Sequence, residues 1–272
     1  METNNKEKKI GVAAYELIGT TFIMLGVMVV NGYYSAGLAL LPFMTLLAWD
    51  VSGGHFNPAI TIGMYVSRMN FGGDLITMLI MVTAQFAGAF LGVFIGWLAL
   101  LDKTWADSFA DDPKVLVTSS WVGTVAPSLP VGGPDLGDPE NGFTRDWQTF
   151  WAMLMTSMIL SLFYCSIKNE AIAPSDNKIF LVVAIQIVTS GCVAANTLFG
   201  DIGINPALAS GYIFFETTQA DYPNEKIASD KLNHYLWAYM IGPLLGGSFG
   251  GLLSLIHARC ANAKGRDNSV DV

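Results

Sequence analysis

Ser52-Gly53-Gly54-His55-Phe56-Asn57-Pro58-Ala59-Ile60-Thr61 and Gly203-Ile204-Asn205-Pro206-Ala207 are the two stretches on which the reading of this chain turns. Each carries the triplet Asn-Pro-Ala. Asparagine is a strong helix N-cap, and proline suits the first helical position because its missing N–H is not needed there. Each triplet therefore opens a helix. The apolar pieces that follow, 57–67 and 205–215, are too short to cross a bilayer, whose hydrocarbon core takes roughly 20 apolar residues. From average usage one Asn-Pro-Ala occurs by chance in roughly one chain in twenty of this length, and two in about one in a thousand. Two copies that open the two half-length segments are not chance turns.

Around them lie six longer apolar blocks, at 11–31, 36–50, 75–101, 147–167, 178–197 and 234–257. The order is helix, helix, half-helix, helix, and then the same again. An odd number of full spans per half inserts the second copy upside down, the sequence sign of an inverted-repeat pore. The last helix of each half repeats glycine at four-residue spacing, as Gly88, Gly92, Gly96 and as Gly242, Gly246, Gly250. Such a stripe lets helix backbones approach closely in lipid, and its recurrence in register supports the repeat. The expected fold is an all-α membrane protein with six transmembrane helices and two re-entrant half-helices. The expected organisation is an N-terminal tail 1–10, a first half 11–101, a long outer loop 102–146, a second half 147–257 and a C-terminal tail 258–272.

Composition agrees. The chain has 272 residues, 52% hydrophobic and 13% charged, against about 25% charged in an ordinary soluble domain. The net charge of −8 supplies no basic footprint for nucleic acid. Three cysteines and three histidines show no disulfide or metal-ligand spacing. The basic start, Lys6, Lys8 and Lys9, leads into an apolar block too long for a signal peptide, so a retained first helix is expected. With both termini in the cytoplasm, the inner stretches hold Lys6, Lys8, Lys9, Arg68, Lys168, Lys178, Arg259, Lys264 and Arg266, and the outer ones hold Lys103, Lys114, Arg145, Lys226 and Lys231. That asymmetry fits the positive-inside rule.

A half-helix that starts inside the membrane leaves backbone N–H groups unpaired and points its positive dipole end at mid-membrane. Two such ends facing each other oppose cations and break the orientation of a proton wire. The amides of Asn57 and Asn205 then offer donors to a passing water or hydroxyl. No nucleophile–base pair or nucleotide motif stands out, so no enzyme activity and no cofactor are implied.

These stretches resemble the aquaporin, or major intrinsic protein, family. Tyr15-Glu16-Leu17-Ile18-Gly19-Thr20, Ala84-Gln85-Phe86-Ala87-Gly88-Ala89, and Trp237, Tyr239 and Gly242-Pro243-Leu244-Leu245-Gly246-Gly247 match it as well. The resemblance covers residues 10–258 and implies an aquaporin-like bundle in a lipid bilayer, usually a homotetramer with one pore per subunit. It also implies that Glu16 braces the first re-entrant loop and that His55 lines the inner vestibule. The second half reads Ala152 where the first has Glu16, so its loop lacks that brace. Most members follow the second triplet with arginine; here the residue is Leu208. Counted from the signatures, the other outer-filter positions are Gly37, Val193 and Ile202. This set is apolar. It leaves either a wide mouth for larger neutral solutes or a constriction that dewets and closes. Asp201 lies near the same mouth, as an attractor for cations or a partner of loop amides.

The expected function is a passive membrane channel for water or small uncharged solutes, in the plasma membrane or an internal one. The alternative is a non-conducting assembly subunit on the same scaffold, with the acidic loop 102–146 as a partner-docking surface. An ion-coupled transporter using Glu16 and Asp201 stands third, because two fixed signature turns favour a pore over alternating access.

Overall fold

A computed structural model describes residues 2–29, 38–108, 145–196, 201–219 and 223–267. Among them all the regular structure is helical: α1 (Glu2–Val29), α2 (Leu41–Ala48), α3 (Pro58–Arg68), α4 (Phe71–Ser108), α5 (Arg145–Lys168), α6 (Lys178–Ala195), α7 (Pro206–Gln219) and α8 (Pro223–Asp267), with a 3₁₀ turn at Asp201–Ile204. Five of these, α1, α4, α5, α6 and α8, are long and apolar enough to cross a membrane. The surface is inverted relative to a soluble protein. Ile179 and Ile187 are 64% and 66% exposed, whereas Glu16 and Gln85 are fully buried. Apolar side chains outside and polar ones inside are what a lipid solvent selects.

The helices overrun several expected boundaries. α1 begins at Glu2 within the expected tail, α4 continues to Ser108, and α8 covers Pro223–Asp267, so residues 223–233 and 258–267 are helical. No helix breaker stands at those ends, and Pro223 takes the first helical position where its ring fits. The expected second span, at 36–50, is represented by α2, eight residues long, about 12 Å at 1.5 Å per residue. Its partner segment 30–37 lies outside the described residues, as do most of the outer loop (109–144) and Gly37. At its C-terminal end, Val51, Ser52 and Gly53 all donate backbone N–H bonds to the Ala48 carbonyl, which turns the chain sharply toward the first signature. Two lysines hold this corner. Lys178 Nζ lies 2.6 Å from the Asp50 carboxylate, and Lys168 Nζ sits 3.1 Å from the Trp49 ring centroid. The Lys178–Asp50 pair is exposed and contributes at most about 1 kcal/mol; its role is to locate α2.

The two halves pack by the same rule. A methyl placed at Gly88 would stand 2.5 Å from the Leu17 carbonyl oxygen, and one at Gly242 2.9 Å from the Phe150 carbonyl oxygen. Both glycine stripes therefore seat the last helix of a half against its first, α4 on α1 and α8 on α5. α8 also presents a second row, Gly247 and Gly251, to α3. Added methyls there would run into the carbonyls of Ala59 and Gly63. Gly63 and Gly211 stand at the same offset from their asparagines. The former faces Gly247, and the latter lies against Ala89 of α4. Each half-helix is thus clamped by the last helix of the other half, which brings the two N-termini together.

Candidate functional site

Asn57 adopts an extended backbone (φ −148°, ψ 119°) and its Oδ1 accepts the Ala59 N–H at 2.9 Å, with Pro58 at the first helical position. Asn205 Oδ1 accepts the N–H groups of Ala207 at 3.2 Å and Leu208 at 3.5 Å, ahead of Pro206. Each cap satisfies donors that would otherwise be orphaned in a dry interior, worth about 1 kcal/mol. The amide ends cross over. Asn57 Nδ2 donates to the Ile204 carbonyl at 3.1 Å, and Asn205 Nδ2 donates to the Phe56 carbonyl at 2.8 Å. The tips of the two half-helices are therefore bonded to each other. An amide NH₂ has two hydrogens, so one from each asparagine remains for a passing molecule.

The first loop is held by a buried polar cluster. Glu16 Oε1 accepts from Ser52 Oγ at 2.6 Å and from the His55 N–H at 3.0 Å; Oε2 accepts from the Phe56 N–H and from Gln85 Nε2, both at 2.7 Å. Gln85 Nε2 also reaches Thr61 Oγ1 at 2.8 Å. Four donors saturate the carboxylate and fix a turn that runs through left-handed backbone at Gly53 (φ 95°), Gly54 (φ 72°) and Phe56 (φ 50°). Glycine accepts such angles without penalty; at Phe56 the bonds on both sides of the peptide hold it there.

The second loop is held differently. With alanine at position 152, Tyr239 takes the position corresponding to Gln85. Its buried ring lies against Gly203, where an added methyl would also stand 2.9 Å from Met153 Sδ. Ser157 Oγ donates to the Ile204 carbonyl at 3.4 Å. An aromatic wedge and one hydroxyl do on this side what a carboxylate and an amide do on the other.

A narrow cavity of about 20 Å³, room for about one water, reaches both asparagines. Its lining combines Gly54, His55, Asn57, Asn205, Thr45 and Thr189 with the apolar Ile23, Ile60, Leu160 and Ile185. His55 is buried, with Nδ1 3.2 Å from Thr61 Oγ1. Three of the four expected filter positions are among the described residues, and all three are buried. Ile202 and Leu208 are 0% exposed and Val193 is 5% exposed, all within the apolar core. The side chain of Asp201 lies outside what is described; its backbone opens the 3₁₀ turn. No cluster of metal-ligating side chains occurs among the described residues.

The profile of the Major intrinsic protein family matches residues 23–254. The chain belongs to the major intrinsic protein family. Its matches within and beyond that profile are distant. The chain is 25% identical over 232 residues to human (Homo sapiens) Aquaporin-9, covering 85% of this chain and 71% of that protein. It is 27% identical over 211 residues to the Glycerol uptake facilitator protein of Bacillus subtilis (strain 168), covering 74% of this chain and 62% of that one. The match thus spans under two thirds of the Bacillus protein's length. The crystal structure of the aquaglyceroporin from Plasmodium falciparum superimposes with a TM-score of 0.69 at 18% identity, over 94% of this chain and 99% of that one. The fold is the aquaporin fold of an integral membrane protein.

Ser52, Thr61, Gln85, Ser157 and Tyr164 belong to the site as well, although the sequence reading did not place them there. Gln85 carries a legible signal, a polar side chain inside an apolar block. Tyr164 carries none, standing in an aromatic row with Phe163.

Proposed function

We propose that this chain is a passive pore for water and small uncharged solutes, each moving down its own gradient. The observation that carries the reading is the bonded pair of half-helix tips, where each asparagine keeps one amide hydrogen for a permeant at the end of a cavity. Two positive helix ends at that point disfavour cations. The names of the human and Bacillus relatives, an aquaporin and a glycerol facilitator, support the same class. In this reading Asn57 and Asn205 orient the permeant, Glu16 and His55 shape the inner loop, and Gly37, Val193, Ile202 and Leu208 set the outer limit, with Asp201 beside it. The subunit assembles as a homotetramer in the bilayer with both termini in the cytoplasm.

In this reading the apolar outer positions form a narrow, poorly wetted constriction that limits flux, because neither Ile202 nor Leu208 offers surface to water. Shortening the plug is expected to open it. Leu208→Ala in vesicles under an osmotic gradient is expected to raise solute flux by about an order of magnitude, equivalent to lowering the barrier by about 1.4 kcal/mol. Swelling rates equal to empty vesicles for water, glycerol and urea, in both the natural protein and Leu208→Ala, would count against a pore. The same buried pair favours a second reading, a non-conducting subunit that docks a partner through loop 102–146. Stable co-purification with a larger complex, together with absent flux in both proteins, is the result that would select it.

A further inference from the structure

Ahead of Asn57 the first loop carries four successive carbonyls, at Gly53, Gly54, His55 and Phe56. Three of them already take a side-chain donor. Asn205 Nδ2 donates to Phe56, and the Tyr164 hydroxyl donates to Gly53 at 2.6 Å and to Gly54 at 3.2 Å. Tyr164 is 1% exposed, lines the cavity, and stands edge-on to the His55 ring at 5.5 Å between centroids. Its hydroxyl comes from α5, more than a hundred residues away along the chain, so the contact does not follow from the folding of the loop itself.

We infer that the Tyr164 hydroxyl is a specificity-determining group of the inner pathway, holding carbonyl positions that a permeating hydroxyl would otherwise use. This rests on the pore reading above. A solute with several hydroxyls fills the cross-section, excludes water, and must find wall acceptors for each O–H it brings. Water is small enough to keep other waters as partners and needs fewer of those acceptors. The single O–H bonds chiefly to Gly53 and shares its hydrogen with Gly54, the one of the two that lines the cavity, so the wall there presents a phenolic oxygen, a weaker acceptor, beside a partly engaged carbonyl. Each carbonyl keeps a second lone pair, so the effect is a graded handicap on polyols rather than exclusion. The competing explanation is a strap that only holds the loop, and the two differ in what they do to selectivity.

The test uses the full-length protein in vesicles, with stopped-flow water and glycerol permeabilities for the natural protein, Tyr164→Phe, Leu208→Ala and the double variant. Phenylalanine keeps the ring and its contact with His55 while freeing both carbonyls. In the Leu208→Ala background, Tyr164→Phe is expected to raise glycerol permeability about fivefold and change water by less than about twofold, the effect of one neutral hydrogen bond. Leu208→Ala alone is expected to favour water over glycerol, which tests the idea without relying on the tyrosine variant; glycerol rising in step with water there would overturn it. Water and glycerol changing together in Tyr164→Phe, with a lowered thermal midpoint, would identify a strap and also overturn it. Conduction with an unchanged ratio sinks this inference and leaves the pore intact, whereas no flux in any of the four proteins removes both.

Discussion

Glu16→Gln is expected to destabilise the folded protein by about 1–3 kcal/mol, the cost of leaving a buried backbone donor without an acceptor. The carboxylate receives two donors on each oxygen, Ser52 and His55 on one, Phe56 and Gln85 on the other. An amide can accept on one side alone. Whichever way the glutamine is flipped, its NH₂ faces one backbone N–H that cannot turn away, His55 on one side or Phe56 on the other, while the Ser52 hydroxyl can rotate and the Gln85 amide can flip to accept. The volume is unchanged, so packing is not the cause. The effect should read out as a lowered thermal midpoint in detergent and loss of a monodisperse species. A midpoint equal to that of the natural protein would show that the cluster is not what holds the first loop.

Gly247→Val is expected to cost about 3 kcal/mol, at the upper end for overpacking, and to abolish any flux. The first side-chain carbon would collide with the Ala59 carbonyl oxygen and stand 2.7 Å from its carbon. Both belong to backbone that cannot swing aside as a flexible side chain would. Relief requires α8 to move off α3, which drags Asn57 away from Ile204 and separates the half-helix tips. Gly191→Ala in α6 is the matched control, because nothing lies within 4 Å of a methyl there. It should be neutral or stabilising by up to about 1 kcal/mol through helix propensity. Equal behaviour of the two variants would show that close approach of α8 to α3 is not required.

The sequence by itself determined the two capped half-helices, their inverted arrangement and a close helix approach at each glycine stripe. These are legible because they rest on local chemistry and period. Asn-Pro-Ala caps whatever follows it, and glycines four apart mark one helix face wherever that helix packs. The acid at Glu16 was legible for a related reason: a carboxylate in an apolar block must have partners. Only the tertiary structure decided who those partners are, since Ser52, the loop amides and Gln85 reach Glu16 from 36 to 69 residues away. It also decided how the second loop stands without an acid at Ala152, through a tyrosine ring and a methionine fitted to Gly203. It decided that Ile202 and Leu208 are fully buried, because burial between helices depends on the packing of all of them. Contacts across such distances have no period to read, and shape complementarity between far segments is written in no single stretch of the chain.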